Sequence, residues 1–152
     1  DNADGQVVIS GHKGAVERAM EIAKERGIKR AIPLPVSAPF HCPLMQPAAD
    51  EMAVALAETT FNAPFVPVIT NVSADAVSDP DQLRTQLVEQ ITGRVRWRES
   101  VLKMGDLGVT HLTELGTGKV LGGLVRRINK EIAGNSIQTM ADIEAFAEEL
   151  KS

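Results

Sequence analysis

Apolar residues recur along this chain with two different periods, and the periods change repeatedly. Near the N-terminus, QVVIS is short and β-branched, which predicts a strand over 6–10. In HKGAVERAMEIAKERG, Ala15, Ala19, Ile22 and Ala23 fall on one helical stripe, widened by Val16 and Met20 and ended at Gly27. KRAIPLPV then reads as extended. Pro33 and Pro35 each remove a backbone donor, so this strand belongs at a sheet edge or leaves the sheet. Strand, helix and strand of this length make half of a split βαβ unit without a sibling hairpin.

Beyond residue 36 helices and strands alternate. Pro47 suits a first helical turn, and Ala48, Met52, Ala55, Leu56 and Thr59 share a face downstream. VPVITNV (66–72) is almost continuously apolar, as expected of a buried parallel strand. In SDPDQLRTQLVEQI, Asp79 is placed to cap a helix, Pro80 occupies its first position, and Leu83, Leu87 and Ile91 form its stripe. A helix near 97–105, strand HLTEL (111–115), a glycine turn into a further helix, a short strand near 136–138 and a last helix complete the pattern. Thr139 and Asp142 stand at capping-box spacing. The expectation is an α/β fold with parallel-type crossovers. Too few strands are available to cover so many apolar helix faces, so the chain reads as the second part of something larger.

Composition narrows the function classes. The 152 residues are 43% hydrophobic and 24% charged, an ordinary globular balance. A net charge of -4 argues against nucleic acid as partner. Trp97, set among Arg94, Arg96 and Arg98, reads as a packed ring with arginines extending past it. No apolar run reaches membrane-spanning length, and DNADGQVVIS lacks the charge pattern of a signal peptide. The single cysteine, Cys42, cannot form an internal disulfide, which suits a cytoplasmic setting.

Among chemistry-bearing residues, His41 stands out. It lies between Pro39 and Pro43, where an extended run turns into a helix, and imidazole exchanges protons near neutral pH. Position alone leaves a catalytic base and a structural histidine both open. Cys42 beside it should point the other way and be buried. No serine sits in a Gly-x-Ser-x-Gly elbow. GTGKVLGG misses the dinucleotide fingerprint by one residue and the P-loop spacing at Lys119, so a tight turn with close helix–strand packing is the expectation. His12 and His111 have no clustered Asp, Glu or Cys, so no metal site is expected.

GQVVISGHKGAVERA, RAIPLPVSAPFHCPLMQPAAD, FNAPFVPVITNV, QLVEQITGRVRW and ELGTGKVLGGLVRRI occur in the order found in the malonyl-CoA:acyl carrier protein transacylases of bacterial fatty acid synthesis. The resemblance spans essentially the whole chain and extends more loosely to polyketide synthase acyltransferase domains. It implies a fold in which 1–36 is the second half of a ferredoxin-like subdomain and 37–152 is the C-terminal part of an α/β-hydrolase-like core. It implies that His41 is the base of a Ser-His ping-pong acyl transfer, oriented by the backbone carbonyl at Gln90. Phe40 and Asn2 are implied as acyl-pocket residues. Lys29, Arg30, Arg126 and Arg127 are implied as contacts for the acidic acyl carrier protein. The substrates would be malonyl-CoA and the carrier's phosphopantetheine thiol, with no separate cofactor. The family's serine elbow, carboxylate-clamping arginine and oxyanion-hole glutamine belong to an N-terminal half that this chain lacks. The alternative is a non-catalytic fragment that binds acyl carrier protein.

Overall fold

The computed structural model describes residues 1–151; Ser152, the end of the expected second domain, lies outside the described residues. The fold is mixed α/β, with six α-helices, one 3-10 turn and two small sheets among the described residues. It divides by packing into two compact units: Val7–Arg96, and Asp1–Gln6 together with the segment from Trp97 onward. The expected boundary at residue 36 falls inside the first of these.

In the second, C-terminal unit, helix α4 (Trp97–Asp106) leads into strand β3 (His111–Leu115), helix α5 (Val120–Ile128), strand β4 (Ala133–Ile137) and helix α6 (Met140–Glu149). β3 and β4 pair in parallel, His111 opposite Ala133 through Leu115 opposite Ile137, with α5 as the crossover. Val101, Val125 and Ile132 form the buried core, packed round by Trp97, Met104, Leu112 and Ile128. Trp97 is thus a packed ring, as its composition suggested. The chain turns into α5 through Gly116 and Gly118, both at positive φ, where only glycine is unstrained. β4 begins three residues earlier than the short strand expected near 136–138, because Ala133 and Gly134 extend the ladder despite their small side chains. The Thr139 hydroxyl accepts from the Asp142 N–H while the Asp142 carboxylate accepts from the Thr139 N–H, the reciprocal box the spacing predicted.

The unit Val7–Arg96 holds helices α1 (Lys13–Glu25), α2 (Gln46–Ala57) and α3 (Pro80–Thr92) and a minimal antiparallel hairpin, β1 (Val68–Ile69) with β2 (Ala76–Val77). α1 ends as Gly27 predicts. Gly27 lies at φ 83, its N–H bonds the Lys24 carbonyl, and the Ile28 N–H bonds the Ala23 carbonyl, which together satisfy two orphan acceptors. α3 begins on the Asp79 cap, whose carboxylate accepts from the Gln82 N–H at 2.7 Å, with Pro80 at the first position. α2 packs against α3, and Arg84 ties them by donating to the Leu56 carbonyl at 3.1 Å.

Three expectations are corrected here. Residues 7–10 and 29–36 form no strand, and Gln6 makes only an isolated bridge to Ala3. Pro33 and Pro35 deny the second segment its donors, and neither segment has a neighbour to pair with. Residues 66–72 are not a buried parallel strand: only Val68–Ile69 pair, antiparallel, and Val66 remains 70% exposed. The apolar run signals a demand for burial that no strand of this chain meets.

Candidate active site

His41 is set by two rigid neighbours. Pro43 opens the 3-10 turn Pro43–Met45 that feeds α2, and Cys42 before it is fully extended. Cys42 is buried, and its thiol donates to the Pro39 carbonyl at 3.1 Å. His41 is exposed and has φ 60, a left-handed backbone that costs a branched-free L-residue roughly 1–2 kcal/mol. The thiol's partner is the Pro39 carbonyl and the ring's partner is Gln90, so the two do not form a Cys–His pair.

The ring is held by α3. Its Nδ1 lies 3.0 Å from the backbone carbonyl of Gln90, a bond worth about 0.5–1.5 kcal/mol net, enough to offset much of the backbone cost. A carbonyl can only accept, so this bond is made by the tautomer with its proton on Nδ1, which leaves the lone pair on Nε2. The Gln90 side-chain nitrogen, a donor that suits only the other tautomer, also lies 3.0 Å from Nδ1, and it donates to the Gly93 carbonyl at 3.2 Å. In the Nδ1–H tautomer, an exposed imidazole can take a proton at Nε2 from a hydroxyl or thiol and return it.

Phe40 precedes this turn and is 46% exposed, an aromatic surface adjoining the imidazole in sequence. Lys29 and Arg30 are exposed in the segment after the α1 cap, in the same unit as His41. Asn2, Arg126 and Arg127 lie in the other unit. Asn2 is half-buried in a tight turn, its N–H and that of Ala3 both reaching the Gln6 carbonyl. Arg126 and Arg127 are exposed in the last turn of α5, where positive charge favours the helix dipole.

Several contacts of residues named from the sequence carry no sequence signal. Arg127 donates to the Gln6 side chain at 2.7 Å and to the Asp4 carbonyl at 3.0 Å, and Arg98 from α4 pairs with the Asp4 carboxylate at 2.6 Å. Arg126 instead lines a cleft of about 340 Å³ with Glu114, Lys119, Gly122, Asn135 and Ser136. Glu114 occupies the N-terminal end of α5, accepting from the Gly122 N–H at 3.1 Å. The glycines of GTGKVLGG therefore serve a turn and close packing: a Cβ on Gly134 would lie 3.3 Å from the Gly122 Cα. Among the described residues no cluster of His, Cys, Asp and Glu is placed to hold a metal ion. No described helix is long and apolar enough to cross a membrane.

No family model matches the chain. Its sequence relatives are nevertheless clear. It is 50% identical over 147 residues to the malonyl CoA-acyl carrier protein transacylase of Escherichia coli (strain K12), covering 97% of this chain and 48% of that protein. A crystal structure of an acyl-carrier-protein-S-malonyltransferase from Bartonella henselae superimposes with a TM-score of 0.93 at 52% identity, over 100% of this chain and 48% of that one. A complex of a type II polyketide synthase acyl-carrier protein with its malonyl-transacylase matches with a TM-score of 0.85 at 41% identity, over 91% of this chain and 45% of that one. The resemblance drawn from the sequence blocks is borne out, and the chain spans about half the length of the curated relatives it matches.

Proposed function

Over nearly its whole length this chain is a relative of malonyl CoA-acyl carrier protein transacylases, and we propose that it supplies the general base of such a transfer. The nucleophile in this reading is a serine on polypeptide outside the chain. The observation that carries it is the exposed imidazole of His41, with Nδ1 3.0 Å from the Gln90 backbone carbonyl.

In the first half-reaction, His41 Nε2 takes the serine proton as the hydroxyl oxygen bonds to the thioester carbon of malonyl-CoA. The carbon–sulfur bond breaks, and the coenzyme A thiolate receives the proton from the imidazolium. In the second, His41 deprotonates the phosphopantetheine thiol of acyl carrier protein, whose sulfur attacks the acyl-serine. The carbon–oxygen bond breaks and the serine oxygen recovers the proton. The Gln90 carbonyl replaces the carboxylate of a triad by accepting from Nδ1–H and stabilising the imidazolium. Phe40 and Asn2 contribute to the acyl pocket, the ring of Phe40 crowding an α-methyl substituent. Lys29, Arg30 and Arg126 meet the acidic carrier.

The architecture in this reading is the C-terminal part of an α/β-hydrolase-like core, with 1–36 as half of a ferredoxin-like subdomain. The exposed apolar side chains of Val7, Ile9, Ile22, Ile32, Leu34 and Val36 support it, since a second polypeptide segment would cover them. The process is bacterial-type fatty acid synthesis. It needs no metal or resident cofactor.

The test has two arms. Intact mass after incubation with malonyl-CoA should show no adduct on this chain alone, and a malonyl adduct would overturn the assignment of the nucleophile. Adding the half of a relative that this chain does not span should restore transfer to acyl carrier protein, and His41→Ala should slow that transfer by about 10²–10⁴-fold. Carrier binding without any restored transfer would favour the non-catalytic fragment.

A further inference from the structure

Arg126 and Arg127 are neighbours in sequence, but their guanidinium groups are committed differently. Arg127 reaches the N-terminal turn at two points, the Gln6 side-chain oxygen and the Asp4 backbone carbonyl. Arg98 takes the carboxylate of the same Asp4. Within the turn the backbone bonds are Asn2 and Ala3 to Gln6 and Gln6 to Ala3, Ala3 is buried, and the Arg98 N–H donates to the Asp1 carbonyl at 3.2 Å. To these supports two arginines from two helices add side-chain contacts at its tip and its returning leg. Arg126 makes no side-chain hydrogen bond or ion pair among the described residues and lines the cleft that also contains Lys119.

We propose that Arg127 is a positioning residue, which with Arg98 holds the Asn2-bearing turn, and that Arg126 with Lys119 supplies the cations this unit offers to an acidic partner. The positioning of Asn2 for an acyl pocket rests on the function proposed above; the division of labour between the two arginines does not. Docking through Arg127 would require breaking two hydrogen bonds and releasing the turn, whereas Arg126 needs no rearrangement. A guanidinium gripping two acceptors in fixed directions is also poorly replaced by lysine, which presents a single point of charge.

Backbone relaxation by 15N NMR on the whole chain reads the turn directly. Arg127→Met should lower the order of the amides of Asn2 to Gln6, with the signals of Val101 and Val125 unchanged. Gln6→Ala should reproduce part of that loss, and combining the two should add little, because they share one contact. Arg127→Lys should restore it only in part. Arg126→Met should leave the turn untouched and weaken binding of holo acyl carrier protein several-fold at low salt. Unchanged turn order in Arg127→Met, or equal loosening by Arg126→Met, overturns the proposal. Absence of carrier binding by the unmodified chain would count against the function proposed above, while the relaxation data would still decide between the arginines.

Discussion

The unit from Trp97 onward and the unit Val7–Arg96 solve the burial problem in opposite ways. The first has its own core, with Val101 and Val125 fully enclosed between α4, α5 and the β3–β4 ladder. The second holds the imidazole and the hydrogen bond that orients it, yet α1 and α3 contain no buried residue at all. Its large apolar side chains, from Val7 to Phe65, remain open. Its order comes from local devices: the glycine cap of α1, the Asp79 cap of α3 and the Arg84 bridge to Leu56. The imidazole proposed as the base thus sits in the unit least able to stabilise itself, which is where a covering polypeptide would complete the fold.

That contrast can be broken at several points. On the function proposed above, the largest effect should follow His41→Ala in the reassembled enzyme, a loss of about 10²–10⁴-fold in the rate of acyl transfer. Gln90→Ala should leave most of that rate, because the backbone carbonyl that holds Nδ1 remains. If the glutamine substitution is as damaging as the histidine one, the side-chain amide rather than the carbonyl orients the ring.

Stability gives the next test. Val101→Ala removes apolar volume from an enclosed site and should cost roughly 2 kcal/mol in denaturant unfolding. Ile32→Ala, at a position 57% exposed, should stay within about 0.5 kcal/mol. Equal costs would erase the distinction between the units. Asp79→Ala removes the N-cap of α3 and should cost about 1 kcal/mol, seen as faster amide exchange in Gln82 and its neighbours.

The smallest effect concerns acid. The Asp142 carboxyl is held below its ordinary value of 3.8, first by the Gln138 N–H, then by the Thr139 N–H and hydroxyl. Its folded-state value lies under its unfolded one. The contribution to α6 is therefore complete above pH 3.8 and fades as pH drops through the lowered value. Fraying at Ala141 and Asp142, followed by NMR, should begin in that window and lose its pH dependence in Asp142→Asn.

Legibility in the sequence followed the range of the interaction. The strand at 111–115, the Asp79 and Thr139 caps and the end of α1 at Gly27 depend on residues within a turn of one another, and each could be read directly. The segments 6–10, 29–36 and 66–72 carried strand-like composition, but a strand needs a partner, and composition does not say whether one is present. The α2 stripe was read on Ala48 and Met52, whereas the residue buried is Ala49, because the approach of α3 sets which side is covered. For the site, prolines on either side of His41 marked an irregular turn. The contact with Gln90, 49 residues away, came only through family resemblance, and that of Arg127 with Gln6, 121 residues away, had no local trace.

The meeting of Gly122 with Gly134 is a dovetail joint between α5 and β4. With a Cβ position on one only 3.3 Å from the Cα of the other, main chain rests on main chain, and no side chain can act as a compressible shim. The helix therefore cannot slip or roll along the strand without losing the fit. Since successive helical residues point about 100° apart, this joint also sets the aim of everything one turn further on. A roll of one residue would swing Arg127 away from the N-terminal turn, so two residues without side chains help hold that contact in place.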